Sequence, residues 1–141
     1  MTNVVLIVSL ALTLSSVVFA AAFLNQQDSK VRVQNGTWGG PHIGLEITDG
    51  RSTIEFDCGH GMIDQPFKTD SAGAFDLPGT YVKESAGPAR QDAKNDEHPA
   101  RYAGRIEGKE MTLTVRIIEG SQIVGRYTLT RGAVPRVAKC G

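Results

Sequence analysis

The chain has 141 residues, and its 15 Lys and Arg are balanced by 15 Asp and Glu. That neutrality leaves no electrostatic footprint for nucleic acid and no polybasic patch for anionic lipid. No charge falls between Val4 and Leu24, so the remainder beyond that run is itself neutral, about 120 residues long, and large enough to bury one core.

The apolar run from Val4 gives way to Asn25-Gln26-Gln27-Asp28. Ser15, Ser16 and Ala20-Ala21-Ala22 put small residues where an export signal peptidase cuts. Two readings compete. Residues 1–22 are either a signal peptide or an uncleaved N-terminal anchor, and the run is roughly long enough to span a bilayer as a helix. Met1-Thr2-Asn3 lacks the basic residue usual at a leader's start, whereas the small residues favour cleavage. Both readings export the remainder to the periplasm or the exterior. Membrane contact is expected only if the segment is retained. Residues 23–35 read as a polar linker and 36–141 as the folded domain.

Beyond residue 35 no period near 3.6 appears, and apolar residues alternate by two between glycine turns. A short strand is expected around Val31 to Trp38, with Asn35-Gly36 as a turn. Asn35-Gly36-Thr37 also matches an N-glycosylation acceptor, although Asn-Gly is more simply read as a turn. From Pro41 to Cys58 the pattern is a hairpin. Ile43, Leu45 and Ile47 alternate on one arm and Ile54, Phe56 and Cys58 on the other. A turn at Asp49-Gly50-Arg51-Ser52 places Ile47 opposite Ile54, Leu45 opposite Phe56 and Ile43 opposite Cys58. It also sets Glu46 against Glu55.

Met62 to Lys68 reads as a weaker strand, demoted to an edge or a bulge by Pro66. Ala74 to Val82 alternates through Phe75, Leu77, Gly79 and Tyr81. Lys83 to Pro99 is a patternless charged loop, read as mobile or as a lid. A second hairpin carries Ala100, Tyr102, Gly104 and Ile106 on one arm and Met111, Leu113, Val115 and Ile117 on the other. Gly108 stands at the first central position of its turn, as a type II′ geometry requires. After the Glu119-Gly120-Ser121 turn, Ile123, Gly125, Tyr127, Leu129 and Arg131 continue the inward parity.

Seven or eight hairpin-joined strands without helices must close or fold on themselves. The fold class is therefore all-β, a single antiparallel up-and-down barrel, with a sandwich as second choice. Cys58 and Cys140 are the two cysteines. In an oxidising compartment they are expected to form one bridge. Closing a loop of about 80 residues contributes roughly 4 kcal/mol by the chain-entropy argument.

Gly36-Thr37-Trp38 ahead of the first strong strand, and Arg131-Gly132 after the last, resemble the G-x-W and late Arg of lipocalin-like (calycin) barrels. The resemblance implies that Trp38 plugs the closed end and that Arg131 packs over its indole, a contact worth roughly 0.5–2 kcal/mol. Over a longer stretch, Gly36-Thr37-Trp38-Gly39-Gly40-Pro41-His42-Ile43, Glu55-Phe56-Asp57-Cys58-Gly59-His60-Gly61, Gly79-Thr80-Tyr81, His98-Pro99-Ala100-Arg101-Tyr102 and Thr128-Leu129-Thr130-Arg131-Gly132 are similar to a group of small exported bacterial proteins without assigned activity. This implies fold and compartment and supplies no function.

The chemistry-bearing residues are few. The hairpin register brings His42 near Gly59 and so near His60, with Asp57 adjacent; a metal site would need three or four such groups. The plainer reading makes both imidazoles turn-flanking groups bonded to backbone. A Cys58–His60 thiol pair conflicts with the disulfide. Glu55 and Asp57 share a solvent face, where ordinary acidities are expected, and Arg126, Arg131, Arg136 and Lys139 read as strand-end solvation. No serine sits in a nucleophile elbow, and Gly39-Gly40 and Gly59-His60-Gly61 precede no helix, so neither is a phosphate loop.

No catalytic residue and no cofactor is assigned. Gly79, Gly104 and Gly125 leave wall volume missing, so a modest cavity lined by Phe56, Tyr81, Tyr102 and Tyr127 is one expectation. The leading reading is a non-enzymatic exported barrel that binds a small apolar ligand or an envelope protein. Its rivals are an exported hydrolase or metal-binding protein using His42, His60 and Asp57, and an inhibitor or interaction domain acting through residues 83–99.

Overall fold

The structure is a computed structural model that describes residues 29–85 and 96–140. The apolar leader and most of the 83–99 loop lie outside the described residues. The strands in chain order are β1 Val31–Arg32, β2 Gly36–Gly40, β3 Ile43–Ile47, β4 Ser52–Phe56, β5 Gly59–Ile63, β6 Lys68–Thr69, β7 Ala74–Lys83, β8 Glu97–Glu107, β9 Glu110–Ile117 and β10 Gln122–Arg131. Strands β2, β3, β4, β5, β7, β8, β9 and β10 pair in that order, and β10 returns to β2, closing an eight-stranded antiparallel barrel. Closure joins Thr130 to Gly39 and Arg131 to Trp38. It leaves no long free edge for another chain to extend. Among the described residues no helix is long and apolar enough to cross a membrane.

The β3–β4 hairpin forms with its expected faces but in a different register. Ile43 faces Phe56, Leu45 faces Ile54 and Ile47 faces Ser52. The turn is tighter than the four residues expected. Thr48 N–H donates to the Arg51 carbonyl at 2.9 Å, leaving only Asp49 and Gly50 in the loop. The two-residue shift preserves parity, so every apolar side chain still points inward. It also places Thr53 opposite Glu46 and Gly44 opposite Glu55. The like-charge pair expected there does not form, which favours the observed register.

Two further expectations need correction. Val31–Trp38 is not one strand. Its first part pairs with β6 as a separate two-stranded ribbon, and only Gly36–Gly40 enters the barrel. Met62–Lys68 likewise divides. Met62 and Ile63 end β5, which begins back at Gly59, and the chain crosses at Gln65-Pro66 before β6. Proline has no N–H to offer a ladder, so pairing stops there. Phe67 turns inward and meets Phe75 at 4.8 Å between ring centroids. Near the start of β10 the register with β9 shifts between Ile123 and Gly125. A bulge of this kind reverses parity, which leaves Ile123 exposed and Val124 partly buried.

The β8–β9 hairpin matches its expected geometry. Gly108 has φ +60°, and Lys109 is not in the left-handed region, as a type II′ turn requires. Gly108→Val is expected to cost about 1–2 kcal/mol through backbone strain alone, since nothing crowds the position. Urea denaturation followed by far-UV dichroism would measure it.

The core runs through the barrel from Trp38, Leu45 and Ile54 to Tyr102, Val115 and Leu129. Inward glycines make room for aromatic rings. The Tyr102 ring lies over Gly79, and its hydroxyl sits over Gly61. That hydroxyl donates to the Thr80 carbonyl at 2.6 Å. Tyr81 covers Gly59, Phe75 covers Gly104, and Tyr127 folds back over Gly125. Wall volume missing at these five glycines is thus taken up by a neighbouring aromatic side chain.

Candidate functional site

The four aromatic residues considered as ligand-lining lie inside the barrel wall. Phe56 meets Tyr81 edge-on at 5.5 Å and Tyr127 at 5.4 Å. Tyr102 and Phe56 are fully buried. Burial raises the pKa values of Tyr81, Tyr102 and Tyr127 above the usual phenol value, and neighbouring ionisable groups add to the effect.

Trp38 is buried on β2, directly across from Arg131 on β10. The guanidinium carbon lies 5.9 Å from the indole centroid. Arg131 also donates to the Gln34 side chain at 3.3 Å. The indole N–H has no hydrogen-bond partner among the described residues, and neither does the buried Ser52 hydroxyl.

A broad concavity lies on the outside of the barrel. After β10 the chain turns at Gly132 and runs back along the barrel wall as a strap over residues 133–140. Gly132 N–H donates to the Thr37 carbonyl at 2.7 Å. The strap backbone at Ala133–Pro135 passes against Gly39, and the Pro135 ring sits on Gly44. Arg136 N–H donates to the Gly40 carbonyl and its own carbonyl accepts from His42 N–H at 2.8 Å. Only glycine lets a backbone lie this close to the sheet. Between the strap and the outer face of β3 and β4 is a groove of about 660 Å³, lined by Val134, Pro135, Val137, Glu46, Glu55 and Thr53 among others. Val134, 83% exposed, forms its apolar ridge.

The far end of the strap is held by charge and by a covalent bond. Cys58 and Cys140 form the expected disulfide, with Cα atoms 4.8 Å apart. Ala138 N–H donates to Asp57 at 2.7 Å. The Lys139 ammonium sits among oxygens, pairing with Glu55 and with Glu84 at 3.3 Å. It also donates to the Phe56 and Gly59 carbonyls at 3.4 and 3.2 Å. Lys139 and Arg131 therefore make defined contacts rather than simply solvating strand ends.

Each histidine ring pairs with a carboxylate rather than with the backbone. His42 Nδ1 pairs with Asp57 at 2.5 Å, and His60 Nδ1 pairs with Glu84 at 2.9 Å. His98 pairs with Asp96 at 2.6 Å. Among the described residues, no three His, Cys, Asp or Glu side chains converge as a metal site. His42 and Cys58 both adopt left-handed backbone, at φ 67° and 52°. Each ends a two-residue turn, between β2 and β3 and between β4 and β5. These turns present Asp57, His42 and Cys58 to the strap.

Asp57 is not an ordinary surface carboxylate. The Ala138 N–H, then His42, holds its pKa below the usual 3.8. Glu84 is lowered from 4.5, first by His60 and then by Lys139. Burial works to lower Lys139, but Glu55 and Glu84 override it and raise the ammonium above 10.5. For the two carboxylates, stabilisation is present above their unfolded values and is lost as pH falls through the folded ones. For Lys139, stabilisation is present below 10.5 and is lost as pH rises through the folded value. Amide exchange at Ala138 is therefore expected to quicken, relative to barrel amides, below about pH 4 and above about pH 10.5. A flat ratio across both limits would contradict this.

The strap site was barely visible in the sequence. Gly39, Gly40 and Gly44 gave no signal beyond turn or strand, and the segment after Arg131 has no alternation. The one usable signal was the pairing of Cys58 with the penultimate residue, which required the tail to return to the barrel. Comparison with family models, curated proteins and solved structures found no match to this chain.

Proposed function

We propose that this is an exported, non-enzymatic barrel that engages an envelope protein partner through its outer surface, at the groove beside the C-terminal strap. The observation that carries this reading is the distribution of space. Inside, Gly59, Gly61, Gly79, Gly104 and Gly125 are each covered by an aromatic side chain. Outside, the groove of about 660 Å³ pairs an exposed apolar ridge with glutamates and threonines. A small apolar ligand in the lumen would have to displace rings already packed on one another, at the cost of core packing. Export is supported by the disulfide, since such bridges persist in oxidising compartments, and by the apolar leader of the sequence. The likeness to calycin barrels remains part of the proposal, with the Arg131–Trp38 stack as its support.

A photo-crosslinking residue at Val134, in protein expressed with its leader, tests the reading. The expected result is a discrete protein adduct in the envelope fraction, absent when the same residue replaces exposed Val31. Equal adducts at both positions would overturn it.

The hydrolase or metal alternative rests on one observation. His42 is oriented by Asp57, as a general base would be. A nucleophile within reach is also needed, and Cys58 is committed to the bridge.

A further inference from the structure

We propose that the wall under the strap is a binding site for an extended, lysine-bearing peptide segment, filled in cis by residues 133–140 and opened when the Cys58–Cys140 bridge is reduced. The inference rests on the outer-surface reading above and specifies what that surface recognises.

The strap shows what the wall can hold. It is an extended segment, and apart from the Ala133 N–H bond to the Thr130 carbonyl its anchors come from residues distant in sequence. The Gly40 carbonyl and His42 N–H bind its backbone as a strand partner would, at 3.1 and 2.8 Å. Gly39 and Gly44 admit a backbone and a proline ring at contact distance. Asp57 accepts an N–H two residues further on. Four oxygen-bearing groups then surround an ammonium: Glu55, Glu84 and the Phe56 and Gly59 carbonyls. Main-chain bonds with a specific charged pocket are the usual means of reading an extended peptide. Charge complementarity selects the occupant, because the pocket presents two carboxylates and two carbonyls to a single cation.

The barrel does not depend on the strap for its pairing. β10 ends at Arg131, before the strap begins, and closes on β2 through Thr130 and Arg131. Gly132, at φ +75° with open space around it, is a ready hinge. Opening needs a dithiol reductant. One of its thiolates attacks a bridge sulfur, forms a mixed disulfide and expels the other cysteine as a thiolate. The second thiol then attacks the mixed disulfide and frees the remaining cysteine. Two electrons pass from the dithiol to the bridge, leaving Cys58 and Cys140 as thiols and the reductant as a disulfide.

Two measurements on the full-length mature protein test the proposal. In the first, trypsin is added to oxidised and dithiothreitol-reduced protein. Cleavage between Arg136 and Val137 is expected to be at least about tenfold faster after reduction, with Trp38 fluorescence unchanged. Equal rates, or loss of the Trp38 signal, would overturn the proposal, the latter because the bridge would then be holding the barrel itself. In the second, a fluorescent peptide with the sequence of Ala133–Lys139 is titrated into the Lys139→Ala, Cys140→Ser variant. The tethered strap competes at millimolar effective concentration, so these changes remove its end anchors. Saturable binding about tenfold tighter than a scrambled peptide is expected, weakened about tenfold when Glu55 and Glu84 are also changed to Gln. Binding no tighter than the scrambled control would overturn the proposal. Because this assay needs no cellular partner, its failure is distinguishable from failure of the crosslinking test.

Discussion

Trp38→Ala is expected to destabilise the barrel by about 3–5 kcal/mol, which for a domain of this size lowers Tm by roughly 15 °C or more. Trp38 is 1% exposed and is the largest of the fully buried side chains. It sits where β10 closes on β2, a junction joined through only Thr130–Gly39 and Arg131–Trp38. Truncation would leave a cavity beside the weakest seam and strip Arg131 of the ring it stacks on. Trp38→Phe should cost much less. It keeps an aromatic face and removes an indole N–H that has no partner among the described residues, so no hydrogen bond is forfeited. Urea unfolding followed by far-UV dichroism checks both variants. A cost below about 1 kcal/mol for Trp38→Ala would show that the seam does not rely on this ring.

Removing the disulfide is expected to be comparably costly. The bridge spans 82 residues of sequence, for which loop-closure entropy gives about 4.5 kcal/mol, within a measured range of about 2–5 for native bridges. The Cys58→Ser, Cys140→Ser variant should unfold at a lower urea midpoint. Its m-value should also rise, because the uncrosslinked denatured chain exposes more surface. The sheet itself should persist under native conditions, since none of its ladders includes a residue beyond Arg131. If the midpoint moved while the m-value stayed constant, the effect would lie in lost strap contacts rather than in the denatured chain.

The barrel was legible because strand alternation records which face is buried, and that record survives errors of register. Leu45 and Ile54 point inward whether the turn holds two residues or four, so an even shift left the fold unchanged. The turn at Gly108 was readable in detail because a type II′ turn places a strict demand on one residue. Glycine in strands misled in the opposite direction. Gly59 and Gly61 fell outside the strand expected from Met62, yet they lie on β5, where Tyr81 and Tyr102 occupy the space above them. That packing is set by residues 22 and 41 positions away, which no local pattern contains. The strap was invisible for a related reason. Its anchors are backbone groups and glycine gaps on β2 and β3, and these leave no periodic trace in the tail. The pairing of His42 with Asp57 and of His60 with Glu84 left no local signal, because it depends on turn geometry. The Ile123 parity failed because a bulge at Val124 costs nothing visible in an alternating sequence.

The account depends on a lumen that is filled by its own side chains. The most direct measurement is a ¹H–¹⁵N NMR titration of the oxidised mature protein with a medium-chain fatty acid. The account predicts no saturable shift at the amides of Gly61, Gly79, Gly104 and Gly125, whose open sides are covered by aromatic rings. Saturable, stoichiometric shifts at those four glycines would mean that the rings yield to a ligand, and would contradict it.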